Sequence, residues 1–316
     1  MNIPLVSPFL EWLFELISSF VGSYGWAIII MTVLIKLAIM PLDLKQRRSM
    51  ARMAELQPQI EKINQKYKND ENKKNEKTLE LYKEYKVSPM GGCLPMLLSM
   101  LVLFGLFGAL RNVGGKHAIE MLETLKEGGE YIPQGWLWIK NVWQADNFFN
   151  MQEMMQAIGG LFNGKLFAGE IAWTGMSVIP DNQSMSTLGT KAVMEQIKVL
   201  LEDKTVITAL EALRAQYAGQ VNGYFILPVL ATLSQVLATS ITNKQQKSAG
   251  AANSQAASMN KFMTYFFPIM TLWICASYNS VFTIYWVVSN LWSIGQTVIL
   301  NLVDKRKKAE AAAKED

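Results

Sequence analysis

The stretch Trp26–Ala–Ile–Ile–Ile–Met–Thr–Val–Leu–Ile–Lys36–Leu–Ala–Ile–Met–Pro41 is apolar except for one threonine and one cation. With its flanks, residues 24–42 have the length that a bilayer-spanning helix requires. A lysine inside such a span costs from about 3 to more than 10 kcal/mol unless it faces protein or water, so intramembrane lysines mark functional pathways. A helix bought at that cost sets the terms for reading the rest of the chain.

Half of the 316 residues are hydrophobic, and they gather into runs separated by polar blocks. Five runs have the character of spans: 24–42, 93–110, 223–241, 262–278 and 281–303. The pattern predicts an all-α polytopic membrane protein with five transmembrane helices. The only cysteines, Cys93 and Cys275, lie in apolar runs and read as packing residues rather than as a disulfide or metal pair. The single histidine, His117, falls in a polar stretch and reads as a solvated loop side chain. That leaves no basis for histidine-dependent catalysis.

Residues 1–23 lack a basic start and carry Glu11 and Glu15, unlike a cleavable leader. They read as an interfacial amphipathic helix. Ser7 would be its N-cap and Pro8 its first residue. Phe9, Leu10, Leu13, Leu16, Ile17 and Phe20 would lie opposite Glu11, Glu15, Ser18 and Ser19.

Charge asymmetry orients the spans. Residues 43–88 carry twelve Lys and Arg, 242–261 carry three and 304–316 carry five, whereas 1–25 carry none. The positive-inside rule makes the basic segments cytoplasmic, with the N-terminus outside and the C-terminus inside. Within 43–88, Met50, Met53, Leu56, Ile60, Ile63 and Tyr67 stripe one helix and Leu79, Leu81, Tyr82 and Tyr85 a returning one. Asn69–Lys74 would turn between them, giving a cytoplasmic helical hairpin. It reads equally as a solvated spacer or a docking surface, with Arg47, Arg48 and Arg52 suited to anionic headgroups or RNA.

The extracytoplasmic segment 111–222 holds Trp136–Leu–Trp138–Ile–Lys–Asn–Val–Trp143, a composition that suits the membrane interface or a core. Helical patterns follow near Met151–Phe162, Thr190–Glu202 and Thr205–Tyr217, with no catalytic motif.

Polar residues recur at helical spacing inside three spans. Thr32 and Lys36 share a face of the first. Thr232, Gln235, Thr239 and Thr242 stripe the third. Tyr285, Ser289, Ser293 and Gln296 stripe the last, flanked by Trp286 and Asn290. Lys36, Gln235 and Ser293 lie about 9–15 Å from the cytoplasmic ends of their helices, at 1.5 Å per residue. Two readings stand: a wet groove open to the cytoplasm with Lys36 on its wall, or interhelical hydrogen bonding with Lys36 snorkelling to the headgroups. A groove lysine would attract acidic or polar extended segments, and a translocating peptide is the natural ligand.

In order along the chain, several motifs resemble the YidC family of membrane protein insertases. They are Met40–Pro41–Leu42 with Gln46 and Met50, Leu56–Gln57–Pro58, Leu81–Tyr82–Lys83, Ser88–Pro–Met–Gly91–Gly92–Cys93–Leu–Pro95, Trp136–Leu–Trp138–Ile, Tyr224–Phe–Ile–Leu–Pro228 and Tyr285–Trp–Val–Val–Ser289–Asn290. The resemblance implies a five-helix insertase core with a hydrophilic groove, in the plasma membrane, that inserts newly made membrane proteins without ATP or other cofactor and assists their folding. Its implied partners are nascent clients, lipids, the Sec translocon and the ribosome. Lys36 stands where the family usually has arginine, and Thr32, Gln235, Trp286 and the adjacent Tyr285 fall at groove positions; Ser289, Asn290 and Ser293 continue the last stripe. Lysine keeps the charge and loses arginine's planar fork. Residues 150–222 look like an insertion in a loop that is commonly short.

The expected activity is therefore non-enzymatic insertion, with client residues captured near Lys36 and the apolar segment released to lipid. The alternative is a small-solute or anion transporter using Lys36 as its substrate site, which ordinarily shows inverted repeats; none is evident here. A Ser–Lys hydrolase lacks a nucleophile motif, and no Walker loop suggests ATP use.

Overall fold

The computed structural model describes residues 3–85, 94–147, 188–248 and 254–315. These fold into ten helices, α1 (Val6–Val21), α2 (Tyr24–Glu55), α3 (Gln57–Lys66), α4 (Glu71–Glu84), α5 (Leu94–Lys126), α6 (Lys191–Glu202), α7 (Lys204–Gln216), α8 (Ile226–Ser248), α9 (Ser254–Ser277) and α10 (Ser280–Glu315). Among the described residues the only β pairing is one bridge between Trp136 and Ile139. The expected helix at Met151–Phe162 and the motif residues Ser88–Cys93 lie outside the described ranges, as do the side chains of Arg47, Arg48, Met50, Met53 and Thr242.

Two helices contain segments long and apolar enough to cross a membrane, Tyr24–Lys45 in α2 and Ser280–Val303 in α10; Ile226–Ile241 and Thr264–Ser277 are shorter apolar segments. Only 22% and 17% of the two long segments are buried, so neither is the wrapped core helix of a globular protein. Their exposed residues are large and apolar: Trp26, Ile30, Leu34 and Leu37 on α2, and Leu291, Val298, Ile299 and Leu302 on α10. Such surfaces suit lipid.

The residues form two compact units. One comprises Met1–Val33, Val102–Ser234 and Ile269–Ser289, the other Leu34–Leu101, Gln235–Pro268 and Asn290–Asp316.

In the first unit α1 ends at Gly22, whose left-handed φ of 69° lets its N–H reach the Ser18 carbonyl at 2.9 Å. Ser7 does not cap this helix. It is buried one residue inside, its Oγ accepts the Ile3 N–H at 3.1 Å, and the helix opens after Leu5 without a side-chain cap. The glutamates also sit differently from the expected amphipathic division. Leu10 and Phe14 pack inward, and Glu11 beside them accepts Asn112 Nδ2 at 2.7 Å and pairs with Lys116 at 2.6 Å. Glu15 joins the same ammonium at 2.9 Å. The acidic face is thus anchored to α5, while Phe9, Trp12, Leu16 and Phe20 are exposed. Glycine permits the approach, since a Cβ on Gly105 would lie 2.5 Å from Val6 Cγ1.

α5 continues sixteen residues beyond Leu110 (from Arg111 to Lys126), which places His117 on a helix. His117 is buried, contrary to the solvated reading. Its Nε2 lies 2.8 Å from the Tyr131 hydroxyl, and the rings of Tyr24 and Trp143 pack around it at 5.7 and 5.9 Å. The histidine reads as polar from sequence because its cover comes from residues distant in the chain. Of the tryptophan patch, Trp143 is buried here, Trp136 packs edge-on to Trp26 at 5.7 Å, and Trp138 donates to Asp146 at 3.1 Å. α6 and α7 pack together, with Asp203 between them accepting the Thr205 N–H at 2.9 Å and pairing with Lys126 at 3.2 Å.

In the second unit α2 passes through Pro41, which removes one helical N–H without ending the helix. α3 and α4 form an antiparallel pair over a small core of Leu56, Ile60 and Leu81, with Ile63 and Tyr82 against it. Asp70 caps α4 by accepting the Lys73 N–H at 3.0 Å. Leu79 and Tyr85 are exposed rather than buried in the pair.

Candidate functional site

α2 carries both Thr32 and Lys36, one turn apart. Thr32 is fully buried in the first unit, and its hydroxyl donates to the Ile28 carbonyl at 2.6 Å. That back-bond satisfies the hydroxyl within its own helix. Lys36, in the second unit, is half-buried among apolar neighbours, with Leu34 and Leu37 exposed beside it. No ion pair to Lys36 forms among the described residues; Asp43, two turns further along α2, is the carboxylate whose charge reaches it.

On α10 the sequence-predicted residues divide between the units. Tyr285 and Trp286 are buried in the first, packed near Phe282 at ring separations of 6.1 and 5.6 Å, and Ser289 follows one turn later. Asn290 is buried in the second unit, where the Ser293 carbonyl accepts the Thr297 hydroxyl at 2.7 Å. Gln235 on α8 donates to Thr239 Oγ1 at 3.2 Å, so two members of the third-span stripe join each other. Thr232 bonds its own helix at the Pro228 carbonyl at 2.8 Å. The hydroxyl donors of Thr32 and Thr232 are thus used within their own helices, and their oxygens remain acceptors.

Sequence reasoning gave no role to Asp146, yet it organises the start of α8. Fully buried, its Oδ1 accepts the N–H groups of Tyr224 (2.7 Å) and Phe225 (3.0 Å), and its Oδ2 those of Leu227 (2.6 Å) and Trp138 Nε1. Asn222 adds a second clamp, donating to the carbonyls of Asn141 and Ala145 at 3.0 and 2.8 Å. The signal available in sequence was an aspartate in a tryptophan-rich segment, which is too general to identify a capping role.

Away from the spans, Lys116 is the cation with the firmest setting. Burial lowers its pKa, but the hydrogen bonds to Glu11 and Glu15 outweigh this and hold it above the usual 10.5. Burial pushes His117 below 6.5 against the opposing pull of Glu120.

The family model of the 60Kd inner membrane protein matches residues 16–308. The chain belongs to this family, the YidC family of membrane protein insertases. It is 52% identical over 108 residues to a membrane protein insertase YidC of Fusobacterium nucleatum, covering 34% of this chain and 53% of that one. With the insertase YidC of Burkholderia multivorans it shares 37% identity over 153 residues, 48% of this chain and 25% of the relative. With that of Oleidesulfovibrio alaskensis it shares 51% over 94 residues, 30% and 18% of the two chains. The YidC matches thus span about half of the first relative and a quarter or less of the other two.

Proposed function

We propose that this chain is a membrane protein insertase and chaperone of the plasma membrane, with five spans, the N-terminus outside and the C-terminus cytoplasmic. Membership of the YidC family supports the activity, and the excess of Lys and Arg in 43–88, 242–261 and 304–316 supports the orientation. The observation that carries the mechanism is the lysine in the apolar, sparsely buried segment Tyr24–Lys45.

In this reading a hydrophilic groove takes the leading polar or acidic residues of a newly made membrane protein. Lys36 supplies the attraction, which is strong where water is scarce. Thr32, Gln235, Tyr285, Trp286, Ser289, Asn290 and Ser293 are the further groove residues; their support is helical spacing and likeness to the family. Transfer of the client's apolar segment to lipid supplies the driving free energy, about 25 cal/mol per Å² of apolar surface. The exposed apolar faces of α2 and α10 give that segment a lipid-compatible path. Capture requires no covalent step and no cofactor.

The α3–α4 pair is the receiving surface on the cytoplasmic side, for the ribosome, the Sec translocon or the client itself. The apolar face of α1, with Phe9, Trp12, Leu16 and Phe20, lies in the opposite membrane interface.

The test is insertion of a single-span client with an acidic leading segment into vesicles containing wild type, Lys36→Arg, Lys36→Gln or Lys36→Glu. Insertion retained with arginine and lost with glutamine and glutamate is expected. Equal insertion by all four, at equal folded amounts, would reject the groove cation; uptake of small anions, abolished with Lys36→Gln while insertion is unaffected, would favour a transporter.

A further inference from the structure

The last span carries two hydrogen-bond donors with nothing to donate to. The indole Nε1–H of Trp292 and the amide Nε2 of Gln296 are both shielded from solvent and both lack a partner. They stand one turn apart on α10, in the same compact unit, and therefore share a face of the helix. Trp136 and Trp143 also leave indole N–H groups unpartnered, but each is a single donor packed against aromatic rings. At 292 and 296 two such N–H donors stack one turn apart within an apolar span.

A buried donor without an acceptor is costly, and the cost is greatest where no water can substitute. Thr32 and Thr297 avoid it by bonding their own helix. An indole cannot reach the i−4 carbonyl in that way, and the Gln296 amide makes no such bond. Replacing both by apolar residues of similar shape would remove the cost, so their chemistry points to an arriving ligand.

Trp292 Nε1 is a donor only, so the ligand must present acceptors. Position selects among sources. Gln296 is seven residues and Trp292 eleven residues before Val303, the end of the apolar segment, or about 10 and 16 Å along the helix axis. Lipid ester oxygens lie at the edge of a hydrocarbon core about 30 Å thick and do not reach so deep. A polypeptide that has entered the span with unpaired main-chain carbonyls or a carboxylate does bring acceptors to this depth.

We propose that Trp292 and Gln296 form a paired-donor site that binds acceptor oxygens, carboxylate or main-chain carbonyl, of a polypeptide entering the span. This rests on the insertase reading and adds two residues to it. Lys36 supplies long-range attraction without geometry; the donor pair supplies short-range, directional bonds on another helix.

The test uses the full chain in nanodiscs with ¹⁵N-labelled tryptophan, and W292F identifies the Trp292 indole resonance. Adding a single-span client with an acidic leading segment is expected to move that resonance downfield, in ester-linked and ether-linked phosphatidylglycerol alike. Client cross-linking to α10 is expected to fall about thirtyfold in the W292F/Q296L double variant, the loss of two net hydrogen bonds. The unfolding midpoint should hold or rise, because the orphan donors are gone. A resonance already downfield in ester lipid and not in ether lipid would assign the donors to lipid and overturn the proposal. So would a lowered midpoint with unchanged cross-linking, which makes the pair structural. Insertion by wild type without a resonance shift sinks the donor pair alone; a shift without insertion counts against the insertase reading and leaves the pair standing.

Discussion

Asp146 accepts the backbone N–H of Leu227 at 2.6 Å, so a residue from one segment caps a helix that begins about eighty positions later. The same carboxylate holds Tyr224, Phe225 and Trp138, and Gly223 lies so close that a Cβ there would strike Oδ1. Asp146→Asn replaces acceptor capacity with a donor that faces other donors. A loss of about 2–3 kcal/mol is expected. Gly223→Ala should cause a loss of similar size by displacing the carboxylate, and thermal unfolding of both variants in one detergent checks this.

His117 makes stability depend on pH. Its pKa in the folded protein lies below 6.5 because burial disfavours the charged ring, so the unfolded chain binds the proton first. Stability should therefore fall as pH drops below about 6.5 and level off once pH passes the folded value. Glu120, 3.4 Å from Nδ1, opposes the shift, and Tyr131, Tyr24 and Trp143 complete its surroundings. Unfolding midpoints of wild type and His117→Gln from pH 8 to 5 check it: the wild-type curve should slope and the variant curve should be flatter.

Lys116 binds two carboxylates of α1 at once. Lys116→Met leaves Glu11, only 14% exposed, paired with Asn112 alone. About 1–2 kcal/mol of stability should be lost, with α1 the first element to become accessible to protease. The double variant Lys116→Met/Glu11→Gln should recover part of it.

Leu137 adopts a φ of 53°, a left-handed conformation that costs a residue with a Cβ about 1–2 kcal/mol, and its side chain is exposed. Leu137→Gly or Leu137→Asn should hold the unfolding midpoint or raise it slightly. A clear fall would show that the leucine side chain makes a contact worth more than the strain.

The helical architecture was legible because long apolar runs have few alternatives in a membrane. The family motifs were legible because Tyr285–Trp286 and Ser289–Asn290 stand in fixed spacing within a helix. What sequence did not disclose depends on long-range pairing. His117 follows Gly–Gly–Lys116 in the chain and has charged Lys116 and Glu120 close by, yet Tyr24, Tyr131 and Trp143 enclose it. Glu11 and Glu15 have the spacing of a solvated face, and only the position of Lys116 shows that the face turns toward protein. Ser7 has the composition of a cap but begins inside the helix, because the chain enters through a left-handed Leu5. Thr32 and Lys36 are adjacent on one helix by arithmetic alone, whereas the back-bond that satisfies Thr32 is visible only in the folded helix.

The Glu11–Lys116 contact joins residues separated by about a hundred positions, and it sets an order for biosynthesis. The first helix emerges from the ribosome long before the ammonium that neutralises its acidic face exists. Until α5 has been made, Glu11 and Glu15 lack the ammonium that anchors them, and α1 rests on ring packing such as that of Phe14 on Tyr24. Asp146 has the opposite schedule: it is synthesised ahead of α8, so the acceptor exists before the N–H groups that open that helix.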